Sequence, residues 1–124
     1  MQPLQLKAFL KPENKIINIP GYEVVSDGIR IFDGHYFRTI LNNDIKVLRC
    51  VGVPDVMGRD IFEDDLIDVR MPFPKANFIA RVKFTNGKFV AEGEKHVYDE
   101  WKSQEIYVTG NFNLEPLAFE KQNS

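Results

Sequence analysis

The sequence predicts a mostly β fold, and three observations carry that expectation. Short apolar runs alternate with clusters of turn residues along the chain. No long segment repeats its apolar residues with the 3.6-residue period of a helix. One dipeptide, Asn86-Gly87, lies between Phe84-Thr85 and Lys88-Phe89 and is a strong short-range hairpin signal.

Taken in order, Leu4 to Ala8 alternates like a strand with one buried face, and Pro12 to Lys15 reads as a turn. Ile16 to Ile19 is the next strand, broken by Pro20-Gly21. Tyr22 to Val25 and Ile29 to Phe32 flank Ser26-Asp27-Gly28, a hairpin-like connection. Asp33-Gly34 turns the chain into Tyr36 to Leu41, and Asn42-Asn43-Asp44 turns it again into Ile45 to Val51. Val53 to Asp65 is rich in turn formers and acids, and Leu66 to Val69 is a short strand. Pro72 and Pro74 bracket Phe73, in a segment expected to be a mobile loop because proline lacks the ladder N–H. Glu92 to Lys102 spaces Val97, Tyr98 and Trp101 for one short helix. Ile106 to Val108 is a late strand, Gly110-Asn111 a turn, and Leu114 to Phe119 a final apolar segment. The tail Lys121 to Ser124 is expected to fray.

The hairpin fixes a register. A two-residue loop pairs Thr85 with Lys88, Phe84 with Phe89 and Val82 with Ala91. Val82, Phe84, Phe89 and Ala91 then share one apolar face, and Arg81, Lys83 and Lys88 the opposite basic one.

Composition bounds the function. With 124 residues, 44% of them hydrophobic and 10 of them Phe, the chain holds core material for one domain spanning 1–124. Net charge is -2, from 16 basic and 18 acidic residues, so no global field favours nucleic acid or an anionic membrane. The N-terminal run Met1 to Lys7 lacks the pattern of an export signal, and no stretch approaches the roughly 18 apolar residues of a membrane span. A single cysteine, Cys50, suits a reducing compartment. These features predict a cytoplasmic protein.

Three segments in this order resemble the YopX family of phage and prophage proteins. They are Val51 to Ile67, Ala80 to Phe84 with Gly87-Lys88-Phe89, and Ile106 to Leu117. Leu6 to Phe9 ahead of Glu13-Asn14-Lys15 is similar to that family's opening strand and turn. The chain departs from the pattern at Asp64, where the family usually has glycine, and in the details of Leu114 to Leu117. The resemblance implies a phage or prophage origin and a mostly β fold, and it implies no reaction. Within the motif, Asp65 suits capping of the turn before a strand.

Each chemical constellation has a bland counterpart. Glu63, Asp64, Asp65 and Asp68, with Asp60 nearby, could ligate a hard cation, but their spacing fits no EF-hand loop and a solvated acidic turn is the stronger reading. His35 and His96 lack zinc spacing and are expected at the surface. Cys50 lies in a strand-like run, where burial as a small apolar residue is commoner than nucleophilic chemistry. No phosphate loop and no nucleophile elbow appears. The expectation is therefore no catalytic, cofactor-binding or metal-ligating residue. Among the aromatics Tyr36, Phe37, Phe73, Phe78, Tyr98, Trp101 and Tyr107, most are expected in the core, with Phe73 singled out as a partner contact.

The resulting expectation is a mostly β chain whose C-terminal half, Val51 to Phe119, forms a small, strongly bent, SH3-like barrel extended by the N-terminal strands. Its expected role is that of a non-enzymatic phage accessory protein acting through protein contacts, including homo-oligomerisation through Phe73 and the Leu117 to Phe119 tail. The alternative is a nucleic-acid-binding module using Arg81, Lys83 and Lys88.

Overall fold

The computed structural model describes residues 6–32, 35–72 and 75–116. Strand accounts for 64% of the described residues and none of their helices reaches seven residues, so the mostly β expectation holds. The chain divides into two compact units, Met1–Cys50 and Val51–Ser124. Each has its own apolar cluster. The division falls where Val51 was expected to begin the bent sheet.

In the first unit, β1 (Leu6–Leu10) and β2 (Lys15–Ile19) form a hairpin in which Ala8 faces Ile17. On its other side β1 pairs with the start of β6 (Ile45–Pro54), Ala8 facing Val47. A second antiparallel sheet runs β3 (Tyr22–Val25), β4 (Gly28–Phe32) and β5 (Phe37–Leu41). Val25 pairs with Gly28, so the expected hairpin forms with Ser26-Asp27 as its turn and Gly28 already in the strand. Gly28 is required by contact, because a Cβ there would collide with the Ile40 carbonyl of β5. Alternation places Ile29, Ile31 and Ile40 on one face of this sheet. There they join Ala8, Leu10, Ile19 and Ile45 in one cluster. Each fully buried Leu or Ile contributes on the order of 2 kcal/mol.

The second unit contains β7 (Asp60–Phe62), β8 (Asp65–Pro72), β9 (Lys75–Thr85), β10 (Lys88–Glu92), β11 (Val97–Tyr98) and β12 (Ile106–Asn111). Its sheet order is β11-β10-β9-β8-β12, antiparallel throughout. The sheet curls into a half-barrel. Ile61, Ile67, Val69, Ala80, Val82, Ala91, Tyr98 and Ile106 fill its concave side. A register shift between Val108 and Gly110 bends β12 against β8.

The hairpin register is the predicted one, with Thr85 facing Lys88, Phe84 facing Phe89 and Val82 facing Ala91. Asn86 at φ 52° and Gly87 at φ 81° both occupy the left-handed region, as a type I′ turn demands.

Two expectations fail. The short helix over Glu92 to Lys102 does not form, and Val97–Tyr98 is a strand in which Tyr98 pairs with Ala91. Two-residue alternation prevails there because Tyr98 is drawn into the core at 2% exposure while Val97 stays out. Trp101 then leaves the helical region at φ 53°. Gly110-Asn111, expected as a turn, instead ends β12. The turn Asp33-Gly34, the residues Phe73 and Pro74, and the tail from Leu117 lie outside the described residues.

Candidate functional site

Three polar nodes in the second unit include Asp64, Asp65, Arg81, Tyr98, Trp101 and Tyr107 of the residues singled out from the sequence. The first joins segments distant in the chain. Arg81 of β9 donates from Nε and Nη2 to Asp64 Oδ1 at 3.1 and 3.0 Å. Its guanidinium lies 3.6 Å from the centre of the Phe112 ring. Asn113 Nδ2 donates to Asp64 Oδ2 at 2.9 Å and to Asn111 Oδ1 at 3.0 Å. Asn111 Nδ2 donates in turn to Asp65 Oδ1, and Asp65 Oδ2 accepts the Phe62 N–H at 2.8 Å. The last contact is the turn cap expected of Asp65.

Asp64 and Asp65 are therefore not a solvated acidic turn, being 4% and 9% exposed. Their charge is absorbed by Arg81 and by amide donors, which is how buried carboxylates are tolerated. Asp64 sits at φ 66°, a conformation glycine adopts more easily. Its side chain, held on both oxygens, offsets that strain. Asp68 is a different case: it lies on β8, ion-paired with exposed Arg70 at 3.0 Å.

The second node is centred on Asp55, just after β6. Its Oδ1 accepts the N–H groups of Met57 and Arg59, and its Oδ2 accepts the Val108 N–H and the Arg59 Nε. Arg59 also donates Nη2 to the Val108 carbonyl and lies over the Tyr107 ring. Burial pushes the Asp55 carboxyl up, but these donors outweigh it and hold the group below its ordinary 3.8. Sequence reading missed this residue. Its signal was the spacing of Asp55, Gly58 and Arg59, which suits an Asx-type loop.

The third node is internal to the barrel end. Tyr98 donates its hydroxyl proton to Glu105 Oε1 at 3.0 Å and accepts the Lys102 N–H at 2.9 Å. Burial, and then the Glu105 carboxylate, push the Tyr98 hydroxyl up to about 12. Trp101 Nε1 donates to the Phe89 carbonyl.

The basic hairpin face carries its cations already matched. Arg81 binds Asp64, Lys83 reaches Glu92 at 2.8 Å and Lys88 reaches Asp99 at 3.1 Å. Val90, facing Lys83 across the ladder, is buried at 4%. His35 and His96 are both exposed, His96 stacking on Phe78 with ring centres 4.8 Å apart. Cys50 is half-buried. Among the described residues, no group of three or more His, Cys, Asp or Glu side chains is placed to hold a metal ion. None of their helices is long and apolar enough to cross a membrane.

Of the aromatic residues singled out, only Tyr98 is fully buried among those described. Tyr36 and Phe37 are 75% and 65% exposed and Tyr107 44%, which corrects the expectation that most of these aromatics lie in the core. The buried members of the two clusters are mostly Ile, Val, Leu and Ala, with Tyr98 the aromatic among them.

Hollows on the described surface include two that bear on these residues. One, of about 380 Å³, lies on the first unit among Pro20, Tyr22, Glu23, Arg30, Phe32 and Phe37. Phe32 and Phe37 face each other across β4 and β5 with ring centres 5.1 Å apart, and Arg30 stands 4.5 Å over Phe37. The other, of about 350 Å³, lies on the second unit among Val56, Asp68, Arg70, Gln104, Glu105 and Tyr107, floored by Ile106.

No family model and no curated protein matches the sequence. Among solved structures, the chain is similar to protein EF1440 from Enterococcus faecalis, with a TM-score of 0.64. The likeness covers 94% of this chain and 97% of that one at 15% identity. At such identity it shows a shared mostly β fold.

Proposed function

We propose that this chain is a non-enzymatic, YopX-like accessory protein of phage or prophage origin that works in the host cytoplasm through protein contacts, first with its own copies. The observation that carries the reading is the outward face of the β3-β4-β5 sheet. Phe37 and Leu41 stand 65% and 54% exposed on it. Phe32 lies beside Phe37, and Glu23 faces Arg30 across the strands. An apolar patch flanked by one acid and one base is self-complementary. A two-fold axis through it sets Glu23 of one copy against Arg30 of the other.

The non-enzymatic part of the reading is supported by how the carboxylates are used. Asp55, Asp64 and Asp65 each accept hydrogen bonds on both carboxylate oxygens and so hold backbone and side-chain donors in place, a structural use of these groups. The alternative of a nucleic-acid module draws less support, because Arg81, Lys83 and Lys88 each already have a carboxylate partner.

Light scattering tests the proposal. The wild-type protein is expected to show a multiple of its 14.4 kDa mass, and Phe37→Asp with Leu41→Asp to reduce it to a monomer. A wild-type monomer over about a hundredfold range of concentration overturns self-association. Salt-sensitive retention on DNA, lost in Lys83→Ala with Lys88→Ala, would favour the alternative instead.

A further inference from the structure

The hollow on the second unit has the chemistry of a binding site. Its walls come from three places: Asp68 and Arg70 point from one face of β8, Tyr107 lies opposite Asp68 on β12, and Gln104-Glu105 comes from the 3-10 turn Ser103–Glu105. Val56 closes the rim from the loop that Asp55 braces, its N–H bonded to the Ile106 carbonyl at 2.9 Å.

Glu105 is the informative residue. It is more than nine-tenths buried, at 7% exposure, and its Oε1 takes the Tyr98 hydroxyl. No hydrogen bond reaches its Oε2 among the described residues, yet no fully enclosed side-chain oxygen lacks a partner. That oxygen therefore keeps some solvent access, and Glu105 lines the hollow. Asp68 repeats the pattern, since Arg70 binds its Oδ2 through both Nε and Nη2 and no hydrogen bond reaches Oδ1 among the described residues. Two carboxylates against one guanidinium leave the lining with one net negative charge. Val56, Ile106 and Tyr107 supply apolar walls around it.

We propose that this hollow binds an organic monocation, a guanidinium or primary ammonium on a short apolar stem. The charged head would sit between Glu105 Oε2 and Asp68 Oδ1, and the stem against Val56, Ile106 and Tyr107. A guanidinium is favoured over an ammonium, because it offers a fork of several N–H donors and is more weakly hydrated. The volume lies at the small end of ligand pockets. The site is independent of the β3-β4-β5 face, so the failure of either reading leaves the other standing.

The test is a titration of isotope-labelled full-length chain with butylguanidinium, followed by amide chemical shifts. Saturable shifts confined to residues 56, 68, 70 and 104–107 are expected, with a dissociation constant of about 1 mM. Butylurea has the same shape without the charge and is expected to bind at least about tenfold more weakly. Glu105→Gln retains an acceptor for Tyr98 and removes the charge, and it too is expected to weaken binding about tenfold. If that variant misfolds, Asp68→Asn and the butylurea comparison still decide. A blocked tripeptide with a central arginine separates the sources. Tighter binding than butylguanidinium assigns the site to a partner's side chain, and weaker binding assigns it to a free small molecule. Equal binding of butylurea and butylguanidinium, shifts spread elsewhere, or no saturation at all overturns the proposal.

Discussion

Arg81 and Asp64 lie 17 residues apart, and the guanidinium gives two hydrogen bonds to one carboxylate oxygen that is nearly sealed from solvent. The other oxygen of Asp64 is held by Asn113, from the last described turn of the chain. Its backbone is engaged as well, since Asp64 N–H donates to the Val82 carbonyl and its own carbonyl accepts the Phe112 N–H. One residue thus ties β9 and the segment after β12 to the loop before β8. The three segments quoted for the family resemblance meet at this point.

Substitutions at Asp64 separate side chain from backbone. Asp64→Ala leaves Arg81 without its buried partner and keeps an L residue at positive φ, so a loss of about 3 kcal/mol is expected. Asp64→Gly loses the same contacts but relieves the left-handed strain, so it should be about 1 kcal/mol less damaging than alanine. Urea unfolding curves of the two variants check the order. Equal stabilities would show that the backbone at Asp64 stores no strain.

The Asn86-Gly87 turn makes a simpler demand. A Cβ on Gly87 would meet nothing within 4 Å, so any cost of substitution there comes from backbone conformation alone. Gly87→Val is expected to destabilise the second unit by about 1–2 kcal/mol, because a β-branched residue resists positive φ. Gly87→Asn should cost less, since asparagine tolerates that region. Thermal melts of both variants decide, and an unchanged midpoint for valine would contradict the type I′ geometry.

That turn also shows what sequence can reveal. Asn-Gly between alternating residues carries its register locally, so the pairing of Val82 with Ala91 followed without any tertiary knowledge. Asp64 and Asp65 were misjudged for the opposite reason. Four acids within six positions look solvated until Arg81, Asn111 and Asn113 arrive from elsewhere in the chain. Glu105 was likewise invisible, because its burial depends on Tyr98 folding inward as a strand residue rather than along a helix. Local periodicity could not distinguish the two when only Val97, Tyr98 and Trp101 supplied it. The exposure of Tyr36, Phe37 and Tyr107 departs from the expectation that most of the seven aromatics are core, because aromatic content predicts burial only on average.

Acid should unfold the second unit partly through Asp55. Four donors, from Met57, Arg59 and Val108, converge on its carboxylate, and protonation removes the acceptor they need. Because the folded protein holds this group below 3.8, it binds fewer protons than the unfolded chain in the range beneath that value. The stabilisation is complete above the unfolded value and is lost as pH falls through the lower, folded one. Asp55→Asn lacks this titration and cannot accept on both sides, so it should be less stable at neutral pH and lose less on acidification. Glu13 is also held low, by hydrogen bonds from Arg38 and Lys15, but it is exposed and belongs to the first unit. The informative quantity is therefore the difference between wild type and Asp55→Asn. Urea midpoints measured from about pH 7 down to about pH 3 should converge as pH falls. Curves that stay parallel over that range would remove Asp55 from the acid transition and leave its hydrogen bonds a role in geometry alone.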